Sequence, residues 1–172
     1  QRLQAGKAAG LEGVLTEMLH KAGLGCALAL AQLLNYIWDN CAWPEAWQKA
    51  FMVPLFKKAG SQLEPGNYRN LSIMSIVAKL FEKIVDARIR EWAERVHVLS
   101  DLQGGFRTDR STVDQLFILN EIIADRRERG LPLYLAFIDV RKAYDRVWRP
   151  GLWLKLREIG IGGRCLELLR AM

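Results

Sequence analysis

Leu133-Tyr134-Leu135-Ala136-Phe137-Ile138-Asp139-Val140 is apolar until Asp139, its first charged side chain. The run is too short for a typical helix, and Gly130 and Pro132 before it are turn signals. A continuous apolar run of this length predicts a strand buried on both faces. A strand ending in a carboxylate presents a rigid oxygen ligand at the rim of a sheet, the hard donor that Mg²⁺ takes. An Asp in that place also serves to end the strand or to cap the next helix. The local pattern leaves both readings open.

Outward from this run the pattern is mostly helical. Leu11, Val14, Leu15, Met18 and Leu19 follow helical spacing, as do Leu30, Leu33, Leu34, Ile37 and Trp38. Trp43-Pro44-Glu45-Ala46-Trp47 predicts a short helix with Pro at its first position. Phe51–Phe56 predicts a strand, which Pro54 places at a sheet edge. A basic turn, Lys57-Lys58-Ala59-Gly60, and a polar loop lead to Asn67-Tyr68-Arg69. From Ile76 to Val96 runs the clearest amphipathic helix. Another spans about 112–127, with Val113, Leu116, Phe117, Leu119, Ile122 and Ile123 expected inward. Residues 151–158 are helical again, and Gly160-Ile161-Gly162-Gly163 breaks that helix. The order of helices, strand, helices and central strand predicts an α+β fold.

The 172 residues suffice for one domain with a real core. A hydrophobic share of 51% beside 26% charged residues belongs to a globular chain rather than a disordered one. No apolar run approaches the ~20 residues of a membrane span, and no signal peptide is evident. Gln1 stands in place of a start methionine, and the last residues, Cys165 to Met172, form an apolar helical pattern without a stop signal. Both ends read as cuts through a longer chain. The net charge is +6, and all of the excess lies beyond residue 50. Such a basic surface favours polyanions, nucleic acid foremost. The scattered Cys26, Cys41 and Cys165 argue against zinc and against a disulfide framework, and fit a reducing compartment. His20 and His97 make no ligand or triad spacing, and 160–163 is no phosphate loop. Trp38 and Trp92 fall at inward helical positions and read as core residues rather than base-stacking platforms.

The longer string Phe137-Ile138-Asp139-Val140-Arg141-Lys142-Ala143-Tyr144-Asp145-Arg146-Val147 resembles the first palm motif of LINE-type (non-LTR retrotransposon) reverse transcriptases. Three further segments resemble that family in its order. Gly6-Lys7-Ala8 with the following helix and Trp43–Trp47 are similar to its N-terminal extension. Val53–Lys58, Pro65–Arg69 and Lys79-Leu80-Phe81-Glu82-Lys83 are similar to its fingers block. Gln103-Gly104-Gly105-Phe106-Arg107, with Arg110 to Leu116, is similar to the next block. The resemblance implies a right-hand polymerase: a helical N-terminal extension at 1–50, mostly helical fingers at 51–130, and the start of a palm sheet at 131–172, truncated.

The resemblance also implies roles. Asp139 is the first catalytic aspartate and ligates both Mg²⁺ ions of a two-metal site, with the backbone carbonyl of Val140 on one of them. Tyr144 is the gate that excludes a 2′-hydroxyl; packing on a core is its other reading. Lys142 lies near the phosphates or is simply solvated, and Asp145 is a local structural acceptor. Arg69 holds the nucleotide triphosphate through its planar fork, and Lys57 or Lys58 adds a point charge, unless the pair merely forms a charged turn. Arg107, Arg110 and Ser111 contact template or primer backbone, or else brace their own loop. Lys7 touches the template. The implied partners are an RNA template, a DNA primer and deoxynucleoside triphosphates, with no membrane and an open oligomeric state. The implied setting is intracellular, in the nucleus for the parent transposable element.

Three motif positions depart from the family. Asn70 stands where a proline is usual, Gly104 where an aromatic is usual, and Asp109 where a glycine is usual. The last puts an acid into a loop meant to face phosphate, which weakens template grip and is a feature of a diverged copy. No adjacent Asp-Asp pair occurs in the chain, although two-metal phosphoryl transfer needs carboxylates on both sides of the ions. The expectation is therefore a nucleotidyltransferase segment, part of an RNA-directed DNA polymerase, inactive by itself. A non-catalytic nucleic-acid-binding or scaffold module and an inactive retroelement relic are the competing readings. Cutting the palm within its sheet would leave the 133–140 strand without partners and its apolar face uncovered.

Overall fold

The computed structural model describes residues 3–172. Gln1, which entered the sequence reading as a non-methionine start, lies outside them. The chain divides into two compact units, one running up to Arg88 and including Trp153–Met172, the other Ile89–Leu152.

In the first unit, α1 (Thr16–Lys21) and α2 (Leu24–Asn40) precede a 3-10 turn at Glu45–Gln48. The helix expected from Leu11 starts only at Thr16. Gly13 sits at φ +72, a left-handed conformation that breaks the helical path before it. The end of α2 turns at Cys41, φ 48, whose N–H donates to the Ile37 carbonyl. Pro44 sets up the 3-10 turn and lays Trp43 and Trp47 edge to face at 5.1 Å. Both rings pack on Phe81, which is 3% exposed.

Strand β1 (Ala50–Phe56) pairs antiparallel with β2 (Tyr68–Met74) in register Ala50↔Met74 through Phe56↔Tyr68. One step beyond, the Lys57 N–H donates to the Asn67 carbonyl at 2.8 Å. Bonded and non-bonded pairs alternate along such a ladder, so Pro54, opposite Asn70, falls at a non-bonded pair. Its missing N–H costs the hairpin no bond, in keeping with the edge placement expected of it. Strand β2 was not read from the sequence, although Leu71 and Ile73 alternate with Asn70 and Ser72.

Helix α3 (Ile76–Arg95) follows, with residues in both units. Its start is held from two sides: Ser75 Oγ accepts from the Ala78 N–H at 3.3 Å, and Glu12 Oε1 accepts from the Ile76 N–H at 2.7 Å. The first unit's core gathers Leu34 and Ile37 of α2, Phe81 and Val85 of α3, Ile161, and Leu166 and Leu168 of α6 (Gly163–Ala171). Asp39 and Arg164 form an ion pair at 2.9 Å that ties α2 to α6. Trp38, expected in the core, is half-buried.

The second unit holds the rest of α3, then α4 (Thr112–Glu128), a 3-10 turn at Tyr144–Arg146 and the start of α5 (Arg149–Glu158). Two expectations are corrected here. The inward face foreseen for α4 is open: Val113, Leu116, Phe117, Ile122 and Ile123 are all exposed, and no residue of the helix is buried. The strand foreseen at 133–140 does not form. A strand exists only with a ladder partner, and among the described residues the sole ladder is β1–β2. Tyr134, Phe137 and Ile138 accordingly stand more than four-fifths exposed. Absent partners and an uncovered apolar face are what the sequence led one to expect of an unpaired segment.

The architecture is mostly helical with a small antiparallel hairpin, an α+β arrangement consistent with polymerase-type fingers and the start of a palm. No helix among the described residues is long and apolar enough to cross a membrane.

Candidate functional site

The first set of candidate residues lies on the β1–β2 hairpin. Its loop is closed by specific bonds. Lys57 Nζ donates to the Gly66 carbonyl at 2.8 Å, Asn67 Nδ2 to the Ser61 carbonyl at 2.8 Å, and the Tyr68 hydroxyl to the Gln62 carbonyl at 2.9 Å. The Phe56 and Tyr68 rings meet at 5.4 Å. Lys57 is thus committed to the loop. Lys58, at φ 57, is exposed, and so is Arg69, opposite Leu55 on β2. Neither side chain makes a hydrogen bond or ion pair among the described residues. Of the two lysines, Lys58 is the one free to meet an anion.

Lys7 is exposed on the segment before α1. Glu17 holds that segment by accepting from the Gly6 N–H, and Glu12 holds it from the other side at α3. Gly10 is required there, since a Cβ would come within 2.7 Å of the Met74 carbonyl oxygen.

In the second unit, the loop between α3 and α4 carries Arg107, Arg110 and Ser111. Arg107 grips Glu94 with two bonds, Nη2 to Oε2 at 2.6 Å and Nε to Oε1 at 3.0 Å. It also donates to the Ser100 carbonyl at 2.9 Å. Its side chain is only 8% exposed. This fork-to-fork geometry makes Arg107 a brace of its own loop. The bond from Arg107 holds the Glu94 carboxyl below the usual range. Sequence reading missed Glu94, because its partner lies thirteen positions away and no local pattern links them. Ser111 caps α4. Its Oγ accepts from the Asp114 N–H at 3.2 Å, while Asp114 Oδ2 accepts from the Ser111 N–H at 2.7 Å. The Ser111 N–H and hydroxyl hold the Asp114 carboxyl low. A Ser-x-x-Asp pattern is a legible signal for such a box. Arg110 is different: its side chain is 40% exposed, with a 3.9 Å approach to Asp101 as its one ion pair among the described residues.

Asp139, Lys142 and Tyr144 lie on an exposed stretch that turns at Lys142, φ 54. Asp145 and Arg146 donate their N–H groups to the carbonyls of Lys142 and Ala143, closing the 3-10 turn. The Tyr144 ring is 81% exposed, so it does not pack on a core. Asp139 is exposed, and among the described residues no group of three or more His, Cys, Asp or Glu converges. These residues do not by themselves fit a two-ion Mg²⁺ centre.

Comparison with known proteins places the chain. Residues 56–171 match the family described as reverse transcriptase (RNA-dependent DNA polymerase). The chain is 29% identical over 153 residues to a probable RNA-directed DNA polymerase from transposon BS of Drosophila melanogaster, covering 89% of this chain and 17% of that protein. It is 27% identical over 130 residues to the RNA-directed DNA polymerase from mobile element jockey of the same organism, covering 76% and 14%. To the Pol polyprotein from type-1 retrotransposable element R2 of Popillia japonica it is 29% identical over 118 residues, covering 69% and 16%. The chain therefore spans about a sixth of the length of these curated relatives. Since the match takes in more than half of the residues, with the 137–147 motif inside it, the chain belongs to the reverse transcriptase family, in its non-LTR retrotransposon branch.

Proposed function

We propose that this chain is the nucleotide- and template-contacting portion of an RNA-directed DNA polymerase that extends a DNA primer on an RNA template. In the longer polymerase, the primer 3′-hydroxyl attacks the α-phosphate of a deoxynucleoside triphosphate and pyrophosphate leaves. The family match over residues 56–171, which contains Asp139 and Tyr144 in their motif, carries this reading. Under it, 51–130 is the fingers and 131 onward the start of the palm.

Within the chain, Arg69 and Lys58 bind the triphosphate. Both are exposed cations without a competing partner among the described residues, and Arg offers the two-pronged donation that phosphate oxygens accept. Lys57 adds positive charge beside Lys58 in the sequence, and Lys142 adds its charge in the motif that carries Asp139 and Tyr144. Tyr144 lies against the sugar and rejects a 2′-hydroxyl. Asp139, with the Val140 carbonyl, is one contributor to the Mg²⁺ ligands; the ions, when bound, neutralise charge developing on the phosphates. Arg110 and Lys7 meet strand phosphates. Arg107 and Ser111 serve that contact by shaping the loop that presents Arg110.

Two measurements test the reading. Purified chain binds an RNA–DNA template–primer, and its affinity falls steeply with salt, as phosphate contacts require; salt-independent binding, or none, refutes the assignment. The same chain gives no primer extension above background, and extension would show that Asp139 and its neighbours suffice for chemistry. Grafted into the jockey polymerase in place of the matching segment, the chain supports extension that Asp139→Asn abolishes, while Tyr144→Ala admits ribonucleotides.

A further inference from the structure

Lys79 and Lys83 lie one turn apart on α3, at the ends of a fingers-like segment but with no ligand assigned to either above. With Lys7 they line a groove of about 500 Å³ formed by the segment before α1, strand β2 and the start of α3. We infer that this groove holds the phosphodiester backbone of a single nucleic-acid strand. The inference deepens the nucleic-acid reading above and rests on it for the choice of ligand.

No carboxylate lines the groove. Like charges four apart on a helix repel one another, and a third ammonium from a different segment adds to the cost. The acids nearest in the sequence to Lys7 each hold a backbone N–H, Glu12 Oε1 that of Ile76 and Glu17 Oε1 that of Gly6, while Glu17 Oε2 is buried without a partner and outside the groove lining. Those two bonds fix the segment that carries Lys7, so the cations are held in place before any ligand arrives. The side chains of Lys7 and Lys83 make no ion pair or hydrogen bond among the described residues. Glu82, on the same helix as Lys79, is a half-buried carboxyl whose pKa burial raises. A concavity walled by low-dielectric side chains focuses the field of such a cluster on whatever enters it.

A second observation points the same way. Thr16 lines the groove and is 1% exposed, yet its Oγ1 has no hydrogen-bond partner. A buried hydroxyl without a partner is costly, and a local opening of the groove wall would let it donate to a phosphate oxygen. Ser72 adds a second hydroxyl to the wall. The apolar part of the lining, with Leu3, Ile73 and Ile76, suits sugar carbons rather than bulk water. The groove is too large for one phosphate and has no aromatic platform for a base. A threaded backbone fits both features better than a free nucleotide does.

The test uses the whole chain and a fluorescent oligouridylate of about twelve nucleotides. Lysine acetylation read by mass spectrometry, with and without the oligonucleotide, reports which ammonium groups it covers. Protection of Lys79 and Lys83 is expected. The Lys79→Gln/Lys83→Gln double variant should bind about tenfold more weakly at low salt, with a salt slope smaller by about 1.4 for two lost contacts. Lys49→Gln, in an exposed pair with Glu45, should bind as the parent does. If the variant fails to fold, the footprint on the parent chain decides alone. Binding of the strand with Lys79 and Lys83 still reactive overturns the groove and leaves the nucleic-acid reading standing. Protection by tripolyphosphate but not by the strand makes this a small-anion site and overturns the inference. No binding of any strand overturns both.

Discussion

Phe81 and Phe137 both sit in apolar stretches, and the two surroundings could hardly differ more. Phe81 is 3% exposed beneath Trp43 and Trp47, in a unit whose helices α2, α3 and α6 close on one another. Phe137 is 83% exposed, in a unit whose longest apolar run has no ladder partner and whose α4 buries nothing. An apolar pattern states what a segment can bury. It does not state which surface will cover it. Fold stability in this chain should therefore reside in the first unit, and the candidate catalytic stretch should contribute little.

The largest expected effect tests that contrast directly. Phe81→Ala removes a buried ring and should destabilise the chain by about 3–5 kcal/mol. Phe137→Ala, at a solvated position, should stay within about 0.5 kcal/mol. Urea denaturation monitored by tryptophan fluorescence measures both. Equal losses would mean that Phe137 is covered in solution, and the contrast between the units would collapse. The same logic makes Asp139→Asn neutral for stability while it abolishes extension in the grafted polymerase.

Much of this is legible in the sequence. Helices α2, α3 and α4, the β1 strand and the edge position of Pro54 all follow from local pattern, because each is set by residues near in sequence. Asp139 and Tyr144 were legible as a motif for the same reason. What escaped was non-local. The β2 strand was overlooked because its alternation is short and its identity depends on β1. Glu94 was missed because its grip on Arg107 joins a helix to a loop. The 133–140 segment was read as buried because its apolarity was visible and its want of a partner was not. The roles of Lys57 and Lys58 separated only once the loop closed on Lys57.

The brace in the second unit is the next effect in size. Arg107→Lys keeps the charge and loses the fork, so amide exchange across residues 96–111 should quicken several-fold. Glu94→Gln should do the same, whereas a direct phosphate contact by Arg107 would leave Glu94→Gln without effect on strand binding. The pH dependence has a definite sign. The Glu94 carboxyl is held below its ordinary value, so its contribution is fully present above the unfolded-state pKa, near 4.5. That contribution fades as pH falls from there through the lower folded value. Exchange in the loop should rise below about pH 4.5 in the parent chain, and Glu94→Gln should flatten that rise. A parent loop indifferent to acid would remove Glu94 from the brace.

The smallest effect separates backbone strain from charge in the same loop. Asp109 and Phe106 both adopt left-handed conformations, φ 57 and φ 61, and by the resemblance to the family Asp109 stands where a glycine is usual. Glycine accepts that conformation freely, but Asp is among the side chains that tolerate it best. Asp109→Gly should therefore stabilise the loop by less than about 1 kcal/mol, read as slower local exchange. The substitution also removes a carboxylate next to Arg110, the least encumbered cation of the loop, so strand affinity should rise about two- to threefold at low salt. The salt slope should stay the same, because no phosphate contact is added. Tighter binding with unchanged exchange would assign the cost of Asp109 to its charge alone. Slower exchange with unchanged binding would mean that Arg110 does not face the strand, and the loop would then belong, like Arg107, to the framework of the second unit.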